Sequence, residues 1–248
     1  MPRTVNSLKV VLRNRFSRQI ILSGEADSLR EFVRYNVKAG GDFSGADLPG
    51  LNMAGSVLAT VKLASANLSG ANFTCSDLSQ ASLVGANLTR AILIRSILSR
   101  ADMTEANLTG ADLTEADLKD ARLINADLYW SNLTAANMTS ADLSQTNLSK
   151  SNLTLAQLTD ADLFWADLGG ANLTLANLSR AVLTVANLSR AQLTMADLTG
   201  ATLAGVDLTD ADLTEANLTD ADLTEANLSG TNLAGATLKG ANLERSKR

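Results

Sequence analysis

Twenty-six carboxylates, 21 lysine or arginine side chains, one thiol and no imidazole make up the chemically able side chains of this 248-residue chain. Without histidine the commonest general base is missing. Carboxylate pairs such as Asp212 and Glu215 could in principle share acid–base work, but they recur because a sequence slot recurs, and they read as a solvated face. Cys75 has no second cysteine to pair with and reads as a surface thiol. Neither a glycine-rich phosphate loop nor a metal-spaced Cys/His set is present, so no catalytic residue, cofactor or metal site is expected. The many Asn-x-Ser/Thr triplets, for example Asn67-Leu68-Ser69, fall out of the same recurrence and are discounted as glycosylation signals.

Charge is polarised along the chain. Residues 1–40 carry eight bases against three acids, residues 41–243 carry ten bases against 22 acids, and the tail 244–248 is basic again. Eight acids form a candidate acidic surface: Asp197, Asp207, Asp210, Asp212, Glu215, Asp220, Asp222 and Glu225. No lysine or arginine lies between Ala191 and Leu238 to offset them.

The elements that position these groups follow from a period of five. From Phe43 to Leu243 every fifth residue is Leu, Met or Phe, through forty-one repeats without insertion. A small residue, usually Ala, stands two places earlier, Asp or Asn lies between, and Thr or Ser follows. Alanine and leucine favour helices, yet five residues at about 100° each would walk the leucines around a helix. A straight strand alternates faces, so an odd spacing would expose every second leucine. Only a backbone that turns a corner every five residues returns each leucine to one side. Four corners close a square coil of about twenty residues, stacked on its neighbours at roughly 4.8 Å. The turn is expected to be right-handed, as parallel crossovers are. Leu and Ala would fill the bore, giving about ten coils and a rod of roughly 48 Å.

Runs such as Ala101-Asp102-Met103-Thr104-Glu105-Ala106-Asn107-Leu108-Thr109-Gly110 resemble the pentapeptide repeat family over residues 41–243. The resemblance implies an all-β solenoid, a right-handed quadrilateral parallel β-helix. A leucine-rich repeat, with its longer and uneven period, is excluded by the even spacing. Departures are local: Leu51, Val61 and Val206 replace the small residue, and Ile92, Ile97 and Val182 replace Asp or Asn.

Solenoid ends need covering. Residues 1–40 read as an N-terminal cap with a helix at about 28–39. Ser28 and Glu31 match a capping box, Leu29, Phe32, Val33 and Val37 share a face, and Gly40-Gly41 supplies the stop. That helix is expected to lie over Phe43. Residues 5–22 fit a helix through Leu8, Leu12, Phe16 and Ile20, or a strand through Leu8, Val10 and Leu12. No comparable cap precedes the charged tail 244–248, so Leu228, Leu233, Leu238 and Leu243 form a candidate dimer end.

The remaining candidates are apolar residues in outward slots. Tyr129, Trp130, Leu155, Phe164, Trp165, Leu175, Val185 and Met195 form a candidate partner surface, because a repeat needs no exposed tryptophan to fold and aromatics are enriched at interfaces. The expectation is a non-enzymatic, cytoplasmic interaction scaffold with an unidentified protein partner, no membrane span and no direct nucleic-acid binding. The family resemblance implies an alternative, mimicry of DNA toward gyrase or topoisomerase through the acidic coils. Duplex DNA carries one charge per about 1.7 Å, a density that this rod, with ten bases interspersed among its 22 acids, does not reach.

Overall fold

The computed structural model describes residues 8–247. The described part opens with strands β1 (Leu8–Arg13) and β2 (Ile20–Ala26), an antiparallel hairpin, followed by helix α1 (Leu29–Lys38). Of the two readings open for the first segment, the alternating one describes β1: Leu12 is buried and Leu8 exposed. Residues 5–7 lie outside the described part. The connection is organised by Asn14, whose side-chain oxygen accepts from the Phe16 and Ser17 N–H groups, and Arg18 adopts a positive φ of 61° to close it. Phe16 and Ile20, assigned to an apolar face by the helical reading, are exposed at 69% and 56%.

Helix α1 begins and ends close to expectation. Ser28 Oγ accepts from the Glu31 N–H, half of a capping box. The other half does not form, because the Glu31 carboxylate turns to Arg34 at 3.1 Å. At the far end Gly41 N–H reaches Asn36 O and Gly40 N–H reaches Val37 O, a Schellman pair completed by a left-handed Gly40 at φ 76°. Phe32 and Val33 are buried, and Gly24 of β2 leaves room for the Phe32 ring: an added Cβ would stand 3.1 Å from it. Arg30 donates to Ala54 O on the solenoid, and Phe43 is fully buried in the core cluster that includes Phe32.

The hairpin does something the sequence did not suggest. The end of β1 runs on to the solenoid edge, where Asn14 pairs antiparallel with Ala46, Arg15 N–H donates to Gly45 O and Asp47 N–H to Arg13 O. Part of the first coil's open edge is thereby paired with backbone from the end of β1.

From Asp42 onward every Asp/Asn slot makes a parallel bridge to the residue twenty places on, ending with Asn227 and Lys247. Each corner is a turn of the same kind. The leucine carbonyl accepts from the small residue three places later, as in Ala126 N–H to Leu123 O at 2.9 Å, and the residue between them and after the Thr/Ser has φ near +60°. That is the signature of a type II turn. Leucine N–H groups donate to the next coil, Leu128 to Asn147 O, and Asp/Asn N–H groups to the previous one, Asp127 to Ala106 O. The Leu and Ala slots from Ala66 to Ala226 are almost wholly excluded from solvent, and the departures Leu51, Val61 and Val206 are accommodated in the bore at 5%, 4% and 0% exposure.

The Asp/Asn slot is not simply outward. Its Oδ1 accepts from the N–H two residues on, as Asp77 does from Ser79 at 2.9 Å, an Asx turn that launches each corner. Along one face the amides also stack, Asn67 Nδ2 on Asp47, Asn147 on Asp127 and Asn187 on Asp167. This dual use suits both residue types, since Asp and Asn alike accept through Oδ1 while only Asn can also donate to the coil below.

Candidate functional surfaces on the rod

Because bridges join residues twenty apart, residues whose numbers differ by twenty stand in one column, and the positive-φ residues form four corner columns. Six of the eight candidate partner residues divide among three of them, and Tyr129 and Phe164 immediately precede the Trp130 and Trp165 corners. Trp130 stands on one corner with Gly110, Lys150, Gly170 and Arg190. Leu155, Leu175 and Met195 stand on the next, and Trp165 with Val185 on the corner diagonally opposite those three. The structure therefore does not gather the eight residues into one patch.

Each group has its own character. Trp165 is 64% exposed and lies against Phe164, ring centroids 6.4 Å apart and tilted by 49°. Trp130 is 68% exposed and leans over Gly110, where an added Cβ would stand 3.7 Å from the indole Cε3. Lys150 turns its ammonium back over the Tyr129 ring, 5.7 Å from the centroid. Leu155, Leu175 and Met195 form three successive apolar rungs, each about half exposed. Trp130, Lys150, Leu155, Trp165, Leu175, Val185 and Met195 sit in the left-handed region, where an L side chain costs about 1–2 kcal/mol and glycine nothing. Only Thr60 and Val185 among the described positive-φ residues are β-branched, the least tolerant type there.

The eight candidate acids also split. Asp197, Asp207, Asp212 and Asp222 occupy Asx slots and are hydrogen-bonded to Thr199, Thr209, Thr214 and Thr224 respectively. The Thr214 hydroxyl, then its N–H, holds the Asp212 carboxyl below the usual carboxylate range, and Thr224 does the same for Asp222. Asp210, Glu215, Asp220 and Glu225 instead occupy four consecutive exposed corners, a collar around one coil. Asp210 lies 3.9 Å from Arg190 and Glu225 3.4 Å from Arg245, ion pairs one coil apart.

Ion-pair rungs recur lower on the rod. Arg95 grips Glu115 with two bonds of 2.8 and 3.2 Å, and Arg180 grips Asp160 with two of 2.7 Å. The hydrogen bond from Arg95, then its charge, lowers the Glu115 pKa. These pairs are solvent-exposed and contribute little to stability.

At the upper end Leu233, Leu238 and Leu243 are half-buried. Leu228, grouped with them on sequence grounds, is different: it is 5% exposed, and its N–H donates to Lys247 O in the overlying coil. Cys75 is an exposed corner thiol. Among the described residues no helix is long and apolar enough to cross a membrane.

Sequence reasoning missed one feature that the column arithmetic could have found. Along the Trp130 corner, glycines leave shallow concavities between protruding side chains. One of about 310 Å³ is lined by Gly110, Asp112, Trp130, Asn132, Lys150 and Asn152 and opens onto the face between the Trp130 and Leu155 corners.

A five-residue repeat, twenty-residue bridges and type II corners define a class, and the comparisons agree. The Pentapeptide repeats family model matches in eight copies spread over residues 42–247, and the chain belongs to this family, whose fold is the right-handed quadrilateral β-helix. Among solved structures it is similar to HetL, a pentapeptide repeat protein involved in heterocyst differentiation regulation from the cyanobacterium Nostoc sp. strain PCC 7120. Identity to HetL is 36%, with 87% of this chain and 94% of that chain covered and a TM-score of 0.69. QnrB1, a plasmid-mediated fluoroquinolone resistance protein, shares the fold at 20% identity, covering 81% of this chain and 92% of that chain with a TM-score of 0.58. No curated protein matches the chain.

Proposed function

We propose that this protein is a non-enzymatic, cytoplasmic scaffold, a rigid rod of about ten coils whose corners engage another protein. Residues 1–40 serve as its cap, with α1 and the hairpin over the first coil, 41–243 as the rod and 244–248 as a charged tail. The observation that carries this reading is the placement of large apolar residues, Trp130, Leu155, Trp165, Leu175, Val185 and Met195, at exposed corners where the backbone favours glycine. Folding gains nothing from them there, whereas buried aromatic anchors dominate binding energy at interfaces. Affinity capture of wild-type protein beside a Trp130→Ala/Trp165→Ala variant tests it. A partner retained in high salt by the wild type and lost by the variant is expected, and identical captures would refute the reading. Self-association through Leu233, Leu238 and Leu243 is the homodimeric part of the proposal; Leu243→Lys should abolish any dimer seen by light scattering.

A second reading, mimicry of duplex DNA toward gyrase or topoisomerase, is favoured by the collar of Asp210, Glu215, Asp220 and Glu225. It is the weaker of the two, since the other four acids are spent on Asx turns. A supercoiling assay separates them, and no inhibition at tens of micromolar protein would reject the mimic.

A further inference from the structure

We propose that the face between the Trp130 corner and the Leu155 corner is a docking trough for a basic amphipathic helix of about three turns. The inference deepens the scaffold reading and rests on it.

The floor of this face is the column Asn132, Asn152, Asn172 and Gln192. Asn132 and Asn152 donate to the threonine hydroxyls of the coil below and accept from their own Asx turns, so this part of the floor is flat and largely satisfied. Corner side chains stand above it on both sides. One wall is the apolar ladder of Leu155, Leu175 and Met195, exposed at 47%, 46% and 50%. The other begins with Trp130, whose indole overhangs Gly110 and closes the lower end. The cations of that wall are already engaged: Lys150 lies over Tyr129, and Arg190 faces Asp210. The walls are separated by one side of the square, three extended residues or about 10 Å. An α-helix with its side chains is about 10–12 Å across.

The spacing along the trough suits the same occupant. Successive apolar rungs are about 4.8 Å apart, close to the 5.4 Å pitch of a helix. Over the two intervals from Leu155 to Met195 the mismatch accumulates to only about 1.2 Å. A helix with apolar residues at i, i+3 or i+4 and i+7 would therefore set one side chain beside each rung.

Charge fixes the polarity of the partner. Immediately beyond Met195 the ladder ends in the exposed corner Glu215, which carries the charge there; Asp212 on the adjoining floor is held in its Asx turn and Asp210 on the opposite wall faces Arg190. With no lysine or arginine between Ala191 and Leu238, the upper end of the trough is acidic. The matching helix carries lysine or arginine in the turn beyond its apolar stripe. An acidic helix would meet the collar with like charge and is disfavoured.

The test uses the full-length protein and a fluorescein-labelled, alanine-based peptide of four helical turns. It has leucines at the stated spacing and three lysines in its terminal turn. A scrambled peptide of identical composition is the control. Anisotropy titration is expected to show binding of the patterned peptide and at least tenfold weaker binding of the scrambled one. Leu175→Ser should weaken binding at least tenfold. Glu215→Gln should weaken it in low salt only. Trp165→Ser, on the diagonal corner, should leave it unchanged. Circular dichroism confirms that each variant is folded.

Equal binding of the two peptides, equal loss in the Leu175 and Trp165 variants, or no binding at about 100 µM peptide overturns the trough. The scaffold reading fails separately, by identical captures from the Trp130→Ala/Trp165→Ala variant. A partner held at the Trp165 corner would preserve that reading while refuting the trough.

Discussion

Truncating one leucine in the middle of the bore and another at its upper end should have very different costs. Leu128 is wholly excluded from solvent and bonded through its backbone to the coils around it. Leu128→Ala removes three carbons, a transfer loss of about 2.4 kcal/mol at about 0.8 kcal/mol each. The surroundings cannot collapse into the space, because four parallel ladders hold the walls at fixed spacing. The cavity contribution then adds to the transfer loss and brings the total to about 3–4 kcal/mol. Leu238 is only half-buried, with solvent already on one side. Leu238→Ala leaves no closed cavity and loses part of the transfer contribution, about 1 kcal/mol. Urea unfolding followed by far-ultraviolet circular dichroism, with m compared between the variants, measures both. Equal losses at the two sites, or a cost at Leu128 below about 1 kcal/mol, would refute the picture of a close-packed bore with one covered middle and one thin end.

Other perturbations separate the slots. Ser131 in the small-residue slot donates to Leu128 O at 2.8 Å, whereas the buried Ser56 hydroxyl finds no partner among the described residues. Ser56→Ala should stabilise by up to about 1 kcal/mol and Ser131→Ala should not, which thermal melts of the two can rank. Val185→Asn relieves a β-branched side chain at φ 53°. Worth about 1 kcal/mol, it should raise Tm by about 2–4 °C, read by scanning calorimetry. Asp212 and Asp222 are held below the usual carboxylate range by threonine hydrogen bonds. Stability from a lowered pKa is present above the ordinary carboxylate value near 3.9 and is lost as pH falls through the folded one. The Asp212→Asn/Asp222→Asn variant should therefore lose less stability than wild type in that acid window, while folding normally at pH 7. Urea midpoints at pH 7 and about pH 3 check this.

How much of this was legible in the sequence depended on whether the repeat dictated it. The bore was, because each Leu and Ala is specified by position alone, and so was α1, whose Ser28 start and Gly40-Gly41 stop are local signals. The hairpin was not. Leu8, Leu12, Phe16 and Ile20 fit a helix as well as Leu8, Val10 and Leu12 fit a strand, and it is pairing with residues distant in sequence, β1 with β2 and Asn14 with Ala46, that decides between them. The Asp/Asn slot looked like plain surface, since an Asx turn is invisible until the corner geometry is known. For the surface sites the exposed residues were identifiable, but their grouping was not. Trp130, Leu155 and Trp165 look like neighbours in sequence and stand on three different corners, while Leu228 lies under a coil that leaves Leu233 half-open.

Every surface assigned to this rod rests on the twenty-residue register, and the lone cysteine makes that register measurable. In an Arg95→Cys variant the new thiol would lie one coil from Cys75 on the same corner, with backbones about 4.8 Å apart. In Arg100→Cys it would lie one corner further on, across a full side of the square. Dibromobimane fluoresces only when both arms have reacted with thiols a few ångströms apart. The Arg95→Cys protein should become strongly fluorescent as a monomer and the Arg100→Cys protein should stay dark. Fluorescence in the second variant and none in the first would contradict the column register, and with it the trough and the acidic collar.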